Sequence, residues 1–270
     1  MSIATQPRSV SQALLYEGCG ERYRLGRVER EVPLPAAWSM HGTAFHSAAE
    51  AIERSGRRLG EEEAVQLFSD EYARLINKAL EQEPDTNRWL SASGAGGEDI
   101  EHRYVLGQEQ TRQYWAWAQE QQPAIWSTDA GEPGLELGFE VELGGVWVRG
   151  FIDQLLKEAD GTVRVRDLKT GSTKARFQLE TYAVAVQLVH EVKVLRGDWY
   201  FAKKGGLSRP VDLSGVTVER VGERFAAMDQ GVKAGRFEPK PGFLCRFCDL
   251  KHKCFFFDKN LSRGRNGVSF

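Results

Sequence analysis

Two periods divide the chain. From Ser9 to Gln121 apolar residues recur every three or four positions, as on amphipathic helices; from Leu135 to Leu168 they alternate with polar ones, as on half-buried strands. Ser9 to Arg24 predicts a short helix capped by Ser9 or Ser11, with Cys19 in the turn that ends it. A proline-containing loop, EVPLPAAWSM, precedes a helix expected to start near Thr43, whose apolar stripe is Phe45, Ala48, Ala49 and Ile52. Glu61 to Glu83 predicts a charged amphipathic helix, SASGAGG from Ser91 to Gly97 a flexible connector, and Glu98 to Gln121 a third helix ended by Pro123. The aromatics of that third helix, Tyr104, Tyr114, Trp115 and Trp117, suit core packing better than base stacking.

The alternating region holds two hairpins. LELGFEVEL and VWVRGFIDQLL flank Gly144-Gly145, and the runs Val146–Leu156 and Thr162–Leu168 flank Asp160-Gly161, a pair that supplies the positive φ of a tight turn. Ala175 to His190 then reads as a helix, LRGDWYFAKK as a strand, GLSRPVDLSG as a loop and Val216 to Gly235 as a helix leading to a cysteine-rich segment. The expected architecture is α/β with a mixed sheet of at least four strands. Residues 1–270 read as one domain: a helical region (9–130), a catalytic sheet and helix (131–205) and a C-terminal helix with the cysteine-rich segment (206–270).

The 270 residues can bury a proper core, and 41% hydrophobic with 27% charged residues is ordinary for a globular protein. No apolar run is long enough to span a membrane and the N-terminus lacks a signal peptide's apolar core, so a cytoplasmic protein with no membrane partner is expected. A net charge of −2 argues against coating nucleic acid by bulk charge. Basic residues do gather around the second hairpin and beyond: Arg164, Arg166, Lys174, Arg176, Lys203, Lys204 and Arg209.

That hairpin carries the candidate chemistry. Asp153 stands near the end of its first strand; Asp167 and Lys169 alternate at the end of its second and so share a face. Two carboxylates beside an ammonium suit a hard divalent cation, Mg²⁺ or Mn²⁺, and phosphodiester hydrolysis. The backbone carbonyl of Leu168 offers a further ligand, as does His46, which shares a helix face with Glu50. Gln178 and Tyr182 share the helix face nearest Lys169. The plain reading of Asp-x-Lys is a surface salt bridge. A second constellation uses every cysteine: Cys19, then Cys245, Cys248 and Cys254. Four thiolates fit an iron–sulfur cluster or a structural Zn²⁺ that closes the two ends of the chain together, and spacing alone does not choose between them.

Gly42-x3-His46, Gly150-Phe-Ile-Asp153, Asp167-Leu-Lys169-Thr170 and Gln178-x3-Tyr182 together resemble the RecB-type branch of the PD-(D/E)XK nuclease superfamily. The cysteine pattern is similar to its iron–sulfur subgroup, which includes the AddB nuclease domain and the CRISPR-associated nuclease of spacer acquisition. The resemblance implies a restriction-endonuclease-like core, metal binding by His46, Asp153 and Asp167, a catalytic Lys169, and Gln178 and Tyr182 positioning the site and the DNA. Glu136 matches a glutamate of the family. It further implies a [4Fe–4S] cluster rather than zinc, and a DNA exonuclease of recombination, repair or end processing. The substrate would be single-stranded DNA or DNA with free ends, with a helicase or recombination protein as partner. The alternative is a non-catalytic, cluster- or zinc-stapled module that binds DNA or a helicase.

Overall fold

The computed structural model describes residues 6–92, 94–171 and 175–257. Helix α1 (Val10–Gly18) starts where Ser9 accepts a hydrogen bond from the Gln12 amide, the first of the two caps anticipated. Cys19 ends it, but the chain then coils on through α2 (Gly20–Tyr23) and a π-type turn, Arg24–Val28. Helix α3 (Ala37–Arg54) begins well before Thr43, so half of the expected proline loop is helical. Pro35 lies just outside the first turn, where its ring and missing N–H do no harm, and the alanines after it favour helix. Helix α4 (Glu61–Gln82) is capped by Glu63, whose carboxylate accepts the Gly60 amide at 2.8 Å. Helix α5 (Gly96–Gln121) takes in the last two residues of the expected connector. A Cβ at Gly96 would sit 2.0 Å from the Thr86 carbonyl, so only glycine lets the helix start there.

The strands are β1 (Leu135–Leu143), β2 (Val146–Lys157), β3 (Val163–Lys169), β4 (Val194–Phe201), β5 (Gly206–Leu207) and β6 (Val211–Asp212). They form a six-stranded mixed sheet of order β1-β2-β3-β4-β5, with β6 also on β4. Only β3 and β4 pair in parallel, joined by the crossover helix α6 (Arg176–His190); helix α7 (Val218–Lys233) follows the sheet. The segment expected as a loop, GLSRPVDLSG, thus holds two short strands, each too short to show a period. The whole is consistent with the restriction-endonuclease-like arrangement expected.

Apolar positions divide between two large cores, with a small third cluster of Tyr23, Met228 and Val232. In one, Val148, Val165, Phe177, Leu179 and Phe225 pack α1, α6 and α7 on the sheet; in the other, Phe45, Ile52, Phe68, Tyr114 and Tyr200 pack α3, α4 and α5. Tyr114 is wholly buried there, which settles it as a packing residue. Among the described residues no helix is long and apolar enough to cross a membrane.

One feature of register places the site. β2 pairs with β1 from Val146 to Gln154, but with β3 only from Gln154 to Lys157. The first half of β2 therefore has an edge that β3 leaves open. Arg8 bridges it at Val148, donating its amide to the Trp147 carbonyl at 2.7 Å and accepting the Arg149 amide at 2.9 Å.

Candidate active site

Where β2 and β3 part, the chemistry collects. One step past the Gln154–Arg166 pair, Asp153 faces Asp167, and Asp153 Oδ2 accepts the Leu168 amide at 2.7 Å. His46, on α3, places Nε2 3.0 Å from the Leu168 carbonyl and Nδ1 3.3 Å from Glu136 Oε1 and 3.6 Å from Asp153 Oδ2. Glu136 reaches them because its backbone turns left-handed, at φ 44°, near the start of β1. A non-glycine residue in that region costs backbone energy, and the return here is a carboxylate turned to the histidine. On the other side Lys169 Nζ lies 3.0 Å from Asp167 Oδ1 and donates to Gln178 Oε1 at 3.1 Å; Gln178 Nε2 donates to the Tyr182 hydroxyl at 2.8 Å.

The candidate ligands and catalytic side chains named from sequence, His46, Asp153, Asp167, Lys169, Gln178 and Tyr182, thus lie in one connected constellation, but Glu50 does not. That carboxylate accepts from Arg54 at 2.6 Å and only lines the cleft beside His46.

The electrostatics are those of crowded acids. Burial pushes Asp153 up to about 7; Asp167 and Glu136 add to the rise and His46 opposes it. Burial also raises Asp167, against the pull of Lys169. For His46 burial acts downward, but Asp153, Glu136 and Asp167 outweigh it and carry the imidazole up to about 9. Burial and the two aspartates hold the Tyr182 hydroxyl well above its ordinary range, so it stays a neutral donor.

A divalent cation fits this donor set. His46, Glu136 and Asp153 each offer a ligand atom, all within 4.8 Å of one another. Asp167 Oδ2 is buried, lies 2.8 Å from Lys169 Nζ and makes no well-directed hydrogen bond. Carboxylates, one imidazole and a carbonyl suit Mg²⁺ or Mn²⁺ better than thiophilic metals.

The site opens to solvent by two clefts. One, of about 610 Å³, lies between α3 and Glu136. The other, of about 720 Å³, runs from Lys169, Gln178 and Tyr182 past Arg149 to Arg27 and the start of α1. Phe151 lines both and is 63% exposed.

Several expectations need correction. Arg166 is buried and, with Arg164, hydrogen-bonds Asp198, so these cations neutralise an internal carboxylate and line neither cleft of the site. Arg176 is engaged by Glu180 and the Asp212 carbonyl; Lys174 lies outside the described residues. The cations that line the cleft are instead Lys169, Arg27 and Arg149. Arg149 was findable as an exposed position in an alternating strand; Arg27 arrives through the π-type turn, which leaves no sequence period.

Among the described residues the cysteine sulfurs do not converge as a set of ligand atoms, so the four-thiolate staple expected is not shown. All four are free and half-buried. Cys19 Sγ accepts the Lys240 amide at 3.5 Å and Cys245 Sγ the Gly242 amide at 3.3 Å, so backbone N–H groups hold these sulfurs. Ion pairs join the two ends of the chain: Arg8 with Asp229 at 2.6 Å, Arg22 with Asp249 at 2.7 Å, and Arg224 with Glu17.

Comparison with known proteins agrees with this geometry. The chain is 37% identical over 277 residues to the Gene 69 protein of Mycobacterium phage L5, covering 92% of this chain and 95% of the phage protein. It is 38% identical over 258 residues to the Gene 69 protein of Mycobacterium phage D29, covering 92% and 96%. Neither name states an activity. A solved structure named "Crystal structure of SSO0001" aligns over 90% of this chain and 94% of that one at 10% identity, with a TM-score of 0.33, too weak a likeness to carry weight. The family model that matches, over residues 7–255, is that of the PD-(D/E)XK nuclease superfamily, and with the acids and lysine gathered where β2 and β3 part, the chain belongs to that superfamily.

Proposed function

We propose that the protein is a divalent-metal-dependent DNA exonuclease of the RecB type, acting at single-stranded or resected ends in recombination, repair or end processing. The observation that carries this reading is the convergence of His46, Glu136 and Asp153 ligand atoms within 4.8 Å, with Lys169 salt-bridged to Asp167 beside them. His46, Asp153, Asp167 and the Leu168 carbonyl hold Mg²⁺ or Mn²⁺, with Glu136 as a further ligand. A cation bound there supplies Lewis-acid polarisation of the scissile phosphate and a water acidic enough to attack it.

The chain's own groups do the rest. Lys169 presents an ammonium to the phosphate oxygens as charge develops on them. Gln178 fixes that ammonium from behind, and Tyr182 fixes the Gln178 amide, so the lysine is preorganised by two hydrogen bonds in series. Deprotonation of Asp153, whose carboxyl is pushed up by burial and then by Asp167 and Glu136, readies the site to receive a cation.

For the cysteines the reading is a ligand set for a [4Fe–4S] cluster, with Zn²⁺ the less favoured occupant. Its support is the resemblance of the spacing and the neighbourhood of the sulfurs. Burial raises the Cys254 thiol, and Glu21 and the nearby Cys19 and Cys245 raise it further. Visible absorbance and iron content after anaerobic purification decide this point; a colourless protein containing zinc rejects it. The working location is the cytoplasm and the working partner a helicase or recombination protein.

The test is digestion of end-labelled single-stranded, double-stranded linear and circular DNA with Mn²⁺ or with chelator. Linear substrates should be degraded from their ends with Mn²⁺, circles spared and all cleavage stopped by chelator. A protein that binds linear DNA but leaves it intact with either metal is a binding module, and the exonuclease reading fails.

A further inference from the structure

Resting on the nuclease reading above, we propose that Trp147, Arg149 and Phe151 form a stacking track along which a single DNA strand is led to the metal-binding acids. The three occupy alternate positions of β2 and all are exposed, Trp147 by 54% and Phe151 by 63%, while Val148 and Ile152 between and beyond them are buried. Asp153 is two residues further along the same strand. Large apolar surface left in water at the mouth of a polar site signals a ligand that covers it. Two aromatic rings with an arginine between them match unpaired bases on a phosphate backbone, since every base has a face to stack and every linkage a charge to neutralise.

Spacing selects the single strand. Four strand residues separate the two rings, about 13 Å at roughly 3.3 Å per residue. Stacked bases are only about 3.4 Å apart. Each ring therefore takes a different base of an extended strand, and the stacked interior of a duplex offers neither ring a face.

Charge sets the side on which the backbone lies. Across β1, Phe151 is opposite Gly138, Arg149 opposite Glu140 and Trp147 opposite Glu142. Gly138 leaves the Phe151 ring uncovered, and the glutamates repel phosphate from that flank. The cleft of about 720 Å³ reaches Glu140 itself, but its further wall carries Ser9, Ser11, Gln12, Arg27 and Lys169, so that with Arg149 three cations line it against one carboxylate. Neither Arg27 nor Arg149 makes a side-chain ion pair among the described residues, so both guanidinium groups are available to phosphate. Phe151 belongs to both clefts, which puts its ring where the strand passes from the cationic groove to the acidic one.

The experiment measures binding of a short fluorescein-labelled oligothymidylate to the full chain by anisotropy in chelator, so that chemistry is silent, with a blunt duplex of equal length in parallel. Phe151→Ala and Trp147→Ala are each expected to weaken single-strand binding roughly 5- to 100-fold, with the duplex little changed. Phe151→Trp and Trp147→Phe should bind as the wild type does. Arg149→Ala should lower the salt dependence of the affinity by about one phosphate contact. Unchanged single-strand affinity in both alanine variants overturns the track. Equal losses on strand and duplex overturn it too, as does a change of oligomeric state in sedimentation without a change in binding, which would make the face a contact between copies. The two readings fail separately. A wild type that never degrades DNA with Mn²⁺, yet loses binding in the alanine variants, sinks the exonuclease and keeps the track; one that degrades DNA while the variants bind normally does the reverse.

Discussion

Replacing Asp153 by asparagine should make the metal-free protein more stable. Asparagine keeps the shape and its Oδ1 can still accept the Leu168 amide, which Asp153 Oδ2 takes at 2.7 Å. What disappears is a charge buried beside Asp167 and Glu136. Raising that carboxyl from 3.8 to about 7 penalises its ionised form by on the order of 4 kcal/mol. That figure already contains the opposing pull of the His46 imidazolium, 3.6 Å away. The net expectation is therefore a stabilisation of up to about 4 kcal/mol, at roughly 2–4 °C in melting temperature per kcal/mol for a chain of this size.

The sign depends on pH. Because the folded-state value lies above the unfolded one, the wild-type penalty is absent below about pH 4 and grows as pH rises to about 7. The His46 contribution has the opposite protonation: raised to about 9, it is fully present below pH 6.5 and is lost only as pH passes 9. At pH 8 the aspartate penalty is therefore expressed while the imidazolium is still charged. Thermal melts at pH 8 in chelator should place Asp153→Asn above wild type, and melts at pH 4 should bring the two together. Saturating Mn²⁺ should narrow the gap or close it, since a ligand at a thousand times its dissociation constant adds about 4.1 kcal/mol to the protein that binds it. A variant that melts below wild type in chelator at pH 8, or gains as much from Mn²⁺, refutes the crowded-acid account.

Lys169→Met should slow Mn²⁺-dependent cleavage of end-labelled linear DNA by roughly 10²- to 10³-fold while keeping the Mn²⁺-induced rise in melting temperature; loss of both would make the lysine a support for the cation rather than for the reaction. Arg8→Met should cost about 3 kcal/mol in urea denaturation, because it strips the buried Asp229 of a partner held at 2.6 Å and leaves only the half-exposed Lys233. A loss under about 1 kcal/mol would show that Lys233 alone suffices.

Periodicity made the helices and hairpins legible because each buries one face, so its apolar residues repeat at the spacing of the element. It failed where that condition lapses. The strands β5 and β6 are two residues each, and the π-type turn at Arg24–Val28 follows no regular period. From Ile152 to Leu156 both faces of β2 are buried, so alternation vanishes just where the acids stand. Asp153, Asp167 and Lys169 were still found because a charge inside an apolar run is conspicuous. Glu136 was reached only through the family resemblance: periodicity does not separate it from the other alternating glutamates of LELGFEVEL, since its placement rests on a left-handed backbone at a non-glycine residue. The arginines misled for a related reason: Arg164 and Arg166 lie in the right strand, but their partner Asp198 comes from β4, and sequence cannot show which cations are already spent.

The constellation depends on both cores at once. His46 is delivered by α3, whose apolar stripe packs against α4 and α5, whereas Gln178 and Tyr182 come from α6, packed with α1 and α7 on the opposite face of the sheet. Only the carboxylates and Lys169 belong to the sheet itself. A histidine from one layer and a lysine clamp from the other can meet only where the strands between them part, because a continuous sheet would stand between the two layers. The gap beyond Gln154–Arg166 is that opening. It leaves buried carboxylates short of partners, a local cost in stability, while Arg8–Asp229, Arg22–Asp249 and Arg224–Glu17 tie the start of the chain to the last helix and the segment beyond it. The crowded acids and the tied chain ends are then complementary: the frame holds the carboxylates together although burial and mutual repulsion oppose their charge.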